Sequence, residues 1–224
     1  MTITAPVRPL VSLDQGADTV RLLQQSGAMD FEALREAIAS DNPGRARPAL
    51  ASLVNASPEE AEPLLLLGLQ QDDMLLRQLS CSGLGHKPTP AGWQPLVDTL
   101  QGDPEVAVRA EAANALVSHG LERAWPLLLA AFEREAEWLL RCSVLSAVAE
   151  HPEASPEQLL GLAELAVADA DGTVRVGGAE ILGRLIREVA TDSEPAAKAR
   201  SLLQSLQSDT DHRVVGAALN GLQH

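Results

Sequence analysis

Apolar positions recur along this chain at helical spacing, and the whole pattern then recurs at a longer interval. The clearest run is Asp103-Pro-Glu-Val-Ala-Val-Arg109-Ala-Glu-Ala-Ala-Asn-Ala-Leu116-Val-Ser-His119-Gly120. It passes from an acidic turn, through an apolar residue and an Arg, to small residues and a Leu. Five related versions lie between residues 71 and 224. Arg77, Arg109, Arg141 and Arg175 are 32, 32 and 34 residues apart, and seven residues after each stands Leu84, Leu116, Val148 or Leu182. The residue before each is Leu76, Val108, Leu140 or Val174, and four residues before each is Asp73, Glu105, Glu137 or Asp171. The fifth copy keeps Asp211, Val214 and Leu222 but has Val215 in the Arg position, as expected of a last repeat with no neighbour to pair with.

A second set of helices alternates with these. Glu62-Pro63-Leu64, Gln94-Pro95-Leu96 and Trp125-Pro126-Leu127 each place a Pro ahead of a Leu-rich run. Pro costs little early in a helix, where its missing N–H has no intrahelical partner. Ser57-Pro58-Glu59-Glu60 combines an N-cap Ser, a first-turn Pro and a carboxylate three residues on, which predicts a helix start. Ser155-Pro156-Glu157 and Ser193-Glu194-Pro195 start two more. Upstream, Phe31-Glu-Ala-Leu34-Arg-Glu-Ala-Ile38 and Arg45 to Asn55, separated by Asn42-Pro-Gly44, predict a first, less regular pair. Residues 1–28 are expected to be an N-terminal arm with one short helix, Asp14 to Gln25; residues 29–224 are expected to be the repeat domain.

A two-helix unit with a period in the low thirties is an α-solenoid: each pair has an apolar face that only the next pair covers. Small residues after the Arg, such as Ala112-Ala113 and Gly177-Gly178-Ala179, allow close helix approach. The frame Asp103 to Leu116, echoed from Asp169 to Leu182, resembles the HEAT repeat, most closely the bacterial HEAT-like subgroup named after phycobilisome lyases. The tetratricopeptide Trp-Leu-Gly-Tyr pattern is absent. The resemblance covers residues 29–224 and implies an all-α, right-handed α-α superhelix of HEAT/armadillo type with about six helical pairs. It further implies a non-catalytic protein-binding scaffold, with phycobiliprotein or another photosynthesis-related assembly as partner. A bilin-lyase subunit and an accessory factor of iron–sulfur assembly are the alternatives within the subgroup.

Composition narrows the function classes. The formal net charge is −14 and Lys occurs only twice, which repels phosphate backbones and argues against nucleic acid as partner. Such a charge keeps a monomer or weak oligomer in solution and favours basic partner surfaces. The five aromatics leave the core to Leu, Ala and Val, the packing set of helices. No apolar run approaches the ~20 residues of a membrane helix. The N-terminus has no basic region leading into an apolar one, so no secretory signal is read. Two cysteines make no disulfide framework, so the reducing cytoplasm is the expected compartment.

No catalytic motif, cofactor site or metal site is read from the sequence. The acids and arginines four apart (Asp73, Arg77, Glu105, Arg109, Glu137, Arg141, Asp171, Arg175) are expected to be a structural ladder, paired along one helix face or across to a neighbouring repeat. His86, His119 and His151 fall at successive helix C-termini, where they complement the dipole; stacked helices ~8–10 Å apart do not gather three histidines on one ion. Cys81 reads as core and Cys142 as more exposed. Asp169-Ala-Asp171-Gly172 is not a calcium loop, since Val174 stands where its obligatory Gly would be.

Function is sought in surface that the repeat does not require. Positions two and five after each Arg are expected to line the concave face. They supply Ser82, Glu111, Asn114, Ser143, Ser146, Glu180 and Asn220, extended by Glu150 and Arg184, as a candidate protein-binding groove. Trp93, Trp125 and Trp138 are the candidate aromatic hot spots.

Overall fold

The computed structural model describes residues 29–223; the expected arm and its Asp14–Gln25 helix lie outside them. Twelve α-helices and no strand occur among the described residues. They form six pairs: α1 (Phe31–Ile38) with α2 (Pro43–Ser52), α3 (Pro58–Gly68) with α4 (Met74–His86), and α5 (Trp93–Gly102) with α6 (Val106–Ser118). Next come α7 (Leu121–Arg134) with α8 (Trp138–Glu150), α9 (Pro156–Val167) with α10 (Gly172–Glu188), and α11 (Glu194–Leu206) with α12 (His212–Gly221). The expected helix Arg45 to Asn55 starts two residues earlier and tightens into a 3-10 turn over Leu53–Asn55.

Short-range chemistry starts most of these helices. Ser57 accepts from Glu60 N while the Glu60 carboxylate accepts from Ser57 N, and Ser155 and Gln158 repeat the arrangement. Asp30, Asn42, Asp73, Asp171, Ser193 and Asp211 cap their helices through side-chain oxygens, satisfying N–H groups that have no intrahelical acceptor. Gly120, at φ 117°, turns the chain into α7 where a side chain would be strained.

Each second helix packs on the next second helix at every joint, more closely than the first helices pack on each other. This asymmetry curves the stack toward the layer of second helices and makes it the inner face. Small residues set the approach: a Cβ on Gly85 of α4 would lie 2.8 Å from Ala115 Cα of α6, and one on Gly183 of α10 would lie 2.9 Å from Gly221 Cα of α12. The repeated Leu and Val positions form one continuous core; Leu76, Leu84, Val108, Leu116, Leu140, Val148, Val174 and Leu182 are all buried in it. The architecture is the α-solenoid that the repeat predicted.

Candidate protein-binding face

The arginine of each repeat clamps two turns together. Arg77 directs Nε and Nη2 at the Asp103 carboxylate (2.7 and 3.1 Å), while its Nη1 donates to the carbonyls of Gln71 and Asp72 (3.0 and 2.8 Å). Arg109 does the same with Glu135 and the carbonyls of Asp103 and Pro104. Arg141 joins Asp169 to Glu135 O, and Arg175 joins Asp209 to Asp169 O and Ala170 O. Each acceptor carboxylate also receives the backbone N–H two residues on, as Asp103 does from Glu105 N at 2.9 Å. The guanidinium thus fixes the turn inside its own pair and the turn inside the next one.

This corrects part of the expected ladder. No Arg pairs with the acid four residues before it; the partner lies in the following repeat, the second of the two geometries the sequence allowed. Asp73 caps α4 and takes Arg47 Nη2 at 2.7 Å, and Asp171 caps α10. Glu105 and Glu137 make no side-chain cap bond and remain exposed. The physical reason is reach: the i−4 acid sits at the N-cap, whereas the guanidinium extends back over the turn to the neighbour. Sequence reasoning missed Arg47 as a first rung, because its frame has Ala46 and Pro43 where the others have an aliphatic residue and an acid. It also missed the acceptors, although an acid six residues before Arg109, Arg141 and Arg175 was visible.

The pairs shift the groups that form them. Hydrogen bonds from Arg47 and Arg175 hold the carboxyls of Asp73 and Asp209 below the usual range. Burial pushes Glu135 up, but Arg109 and the Glu137 N–H outweigh it and the net shift is downward. The Asp103 hydrogen bond pushes Arg77 further up.

The candidate groove residues lie on one stripe of the inner helices, none of them buried. Ser146, Glu150, Glu180 and Asn220 are exposed, and Ser82, Glu111, Asn114, Ser143 and Arg184 are half-buried. Arg184 is engaged locally: it pairs with Glu188 at 2.7 Å and donates to Ala149 O of the preceding second helix.

The three tryptophans separate. Trp93 is only 7% exposed and belongs to the core, with the Arg123 guanidinium 3.7 Å from its ring centroid and His119 6.1 Å away. It is therefore unavailable as a hot spot: its indole is covered by His119 at the end of α6 and Arg123 in the first turn of α7. Trp125 is half-buried against the core. Trp138 is 45% exposed.

The histidines have separate tasks. His86 donates from Nδ1 to Ser82 O at its own helix end (2.8 Å), and His151 Nδ1 accepts from Glu153 N. His119 reaches across the joint, Nε2 to Leu84 O at 3.1 Å. Burial lowers the His119 pKa, Arg123 lowers it further, and the Leu84 carbonyl opposes both. Among the described residues no three His, Cys, Asp or Glu side chains gather for a metal ion. Cys81 is buried and Cys142 half-buried, both as free thiols, and burial pushes both pKa values up. Asp169, in the apparent calcium motif, is taken by Arg141. An open hollow of about 560 Å³ lies between the turns of the second and third pairs, around Asp72, Arg77, Asp98, Asp103 and Glu105.

Residues 61–149 match the family model described as HEAT repeats. The fold defines the class, an α-solenoid, and the match places HEAT repeats at residues 61–149 of it. Among solved structures, the X-ray structure of Escherichia coli YibA aligns over 97% of this chain and 77% of its own, at 15% identity and TM-score 0.61. An engineered protein aligns over 87% of this chain and 96% of its own, at 18% identity and TM-score 0.52. At such identities these likenesses speak to the fold alone. No match is found among curated proteins. No described helix is long and apolar enough to cross a membrane.

Proposed function

We propose that this chain is a non-catalytic scaffold that binds a partner protein along the inner layer of second helices. One observation carries the reading. The stripe two and five residues after Arg77, Arg109, Arg141 and Arg175 is unburied on helices otherwise consumed by packing, and apart from Leu79 and Gly177 it is polar. The ladder supports it, since five joints clamped at the turns hold that stripe in a fixed register, and pre-organised surfaces lose less entropy on binding.

The client class proposed is a phycobiliprotein or another photosynthesis-related assembly, bound in the cytoplasm by a monomer or weak oligomer. This rests on the subgroup resemblance alone. Affinity capture from native lysate tests it, comparing the unaltered chain with Glu111→Arg/Glu180→Arg and identifying bound proteins and pigments. A single dominant partner lost in the variant supports the inner-face reading, and its identity decides the client. A partner retained by the variant overturns it. Absorbance changes on adding free bilin would favour the lyase-subunit alternative, and iron with sulfide in anaerobically purified protein the iron–sulfur alternative.

A further inference from the structure

The first turns of α4, α6 and α8 carry apolar residues at matching places: Met74-Leu75, Val106-Ala107 and Trp138-Leu139. Met74, Val106 and Leu139 lean on the core and are half-buried. Leu75 and Trp138 stand out at 40% and 45% exposure, and Leu79, one turn after Leu75, at 37%. Gln78 Nε2 donates to Ala107 O at 3.2 Å, which ties α4 and α6 together beside these leucines. The residues form a strip running across three successive inner helices. Past it the same places hold Gly172-Thr173 and His212-Arg213, so the strip ends at α8.

Exposed carboxylates border the strip. Asp72, Glu105 and Glu137 occupy the turns ahead of these helices, and none forms an ion pair among the described residues, because each ladder Arg goes to a different acid. Glu111 adds a further carboxylate one turn inward on α6. A row of apolar side chains flanked by exposed acids that form no direct ion pair is complementary to one chemistry: apolar anchors separated by Lys or Arg.

We infer that this strip docks an extended basic segment of a partner protein, with apolar side chains about every third residue. The spacing follows from geometry. Neighbouring helices lie ~8–10 Å apart, and a segment in the extended polyproline II form advances ~3.1 Å per residue with about three residues per turn, so every third side chain points to the same side and meets the next helix. Three helices take up a polyproline II segment of about seven residues. The inference deepens the scaffold reading and rests on it for the identity of the face.

Calorimetric titration with a nonapeptide of three Leu-Lys-Lys units tests it, with the Leu-Glu-Glu nonapeptide as charge reversal. Saturable, salt-weakened binding of the basic peptide is expected. Leu75→Ser/Leu79→Ser, and separately Trp138→Ala, are expected to weaken it at least tenfold, and Glu105→Gln/Glu137→Gln severalfold. Leu165→Ser/Leu219→Ser changes leucines that are equally exposed, at 37% and 47%, and should leave affinity unchanged. All replaced side chains are at least one-third exposed, so folding is retained and helical circular dichroism checks it. Absence of binding, equal loss in both leucine pairs, or equal loss from Glu59→Gln/Glu157→Gln would each overturn the proposal. If the strip variants are silent while Glu111→Arg/Glu180→Arg still loses its partner in the capture experiment, the strip fails and the scaffold reading stands.

Discussion

Arg77 pairs with Asp103, 26 residues further on, and not with Asp73, four residues before it. The same offset of one repeat joins Arg109 to Glu135, Arg141 to Asp169 and Arg175 to Asp209. A clamp of this kind holds neighbouring pairs to each other more than it holds any helix together. In a solenoid, where each pair touches only its neighbours, such interfaces determine how cooperatively the stack unfolds.

Removing one member of a clamp should therefore cost more than a surface pair does. The side chains of Arg77 and Asp103 are 12% and 7% exposed. Arg77→Ala leaves that carboxylate with only the Glu105 N–H and two turn carbonyls without their guanidinium donor, at a cost of about 2–3 kcal/mol, between the exposed and buried limits. Arg77→Lys loses the fork geometry and should recover only part of it. Urea unfolding of both, with an Asp103→Asn cycle, measures the coupling; additivity of the two single changes would refute the clamp.

Acid should loosen the stack. Asp73, Asp209 and Glu135 have folded pKa values below their unfolded ones. Their stabilisation is fully present above the ordinary carboxylate range near pH 4 and is lost as pH falls through the lowered values. Asp211, lowered to about 2 by Arg213, titrates last. The His119 pKa is also depressed, so its contribution is present above its unfolded pKa of about 6.5 and is lost on acidification through the lower folded value. Thermal unfolding from pH 7 to pH 2 should show stability falling with acid, and Arg175→Ala should remove the Asp209 part of the slope.

Glycines on and off the joints should respond with opposite sign. Gly85→Ala places a methyl 2.8 Å from the Ala115 backbone, which cannot move without parting α4 from α6. Overpacking of this kind costs about 1–3 kcal/mol. Gly161, within α9, has nothing within 4 Å of an added Cβ, and Gly161→Ala should stabilise by up to about 1 kcal/mol through helix propensity. Melting temperatures of the two variants decide the matter.

Thiol reactivity should follow burial. Both Cys81 and Cys142 are held in the protonated, unreactive form near neutral pH, Cys81 the more strongly. Cys142 should react slowly with a disulfide reagent in the native protein, and Cys81 only at the rate of unfolding. Rapid labelling of both would show that the α4–α6 joint opens.

The terminal copy already held a clue to the clamp. It lacks the Arg, having Val215, yet retains Asp209 six residues before it. An acid kept after its nearest Arg is gone must serve an Arg elsewhere, and Arg175 of the preceding pair is that partner. Sequence spacing alone favoured the local pair, because four residues is one helical turn and the neighbour's distance depends on how helices stack.

The sequence by itself determined the helical pairs, their number and their register. Those depend on local terms: apolar periodicity, Ser and Asp caps, first-turn prolines and the repeat length. Only the tertiary structure decided which charges meet and which aromatic is free. Trp93 and Trp138 each begin a helix, yet Trp93 lies between Arg123 and His119 in a joint while Trp138 faces solvent. Burial of a side chain at a helix start depends on the neighbouring pair, and that contact is made across dozens of residues where no local pattern records it.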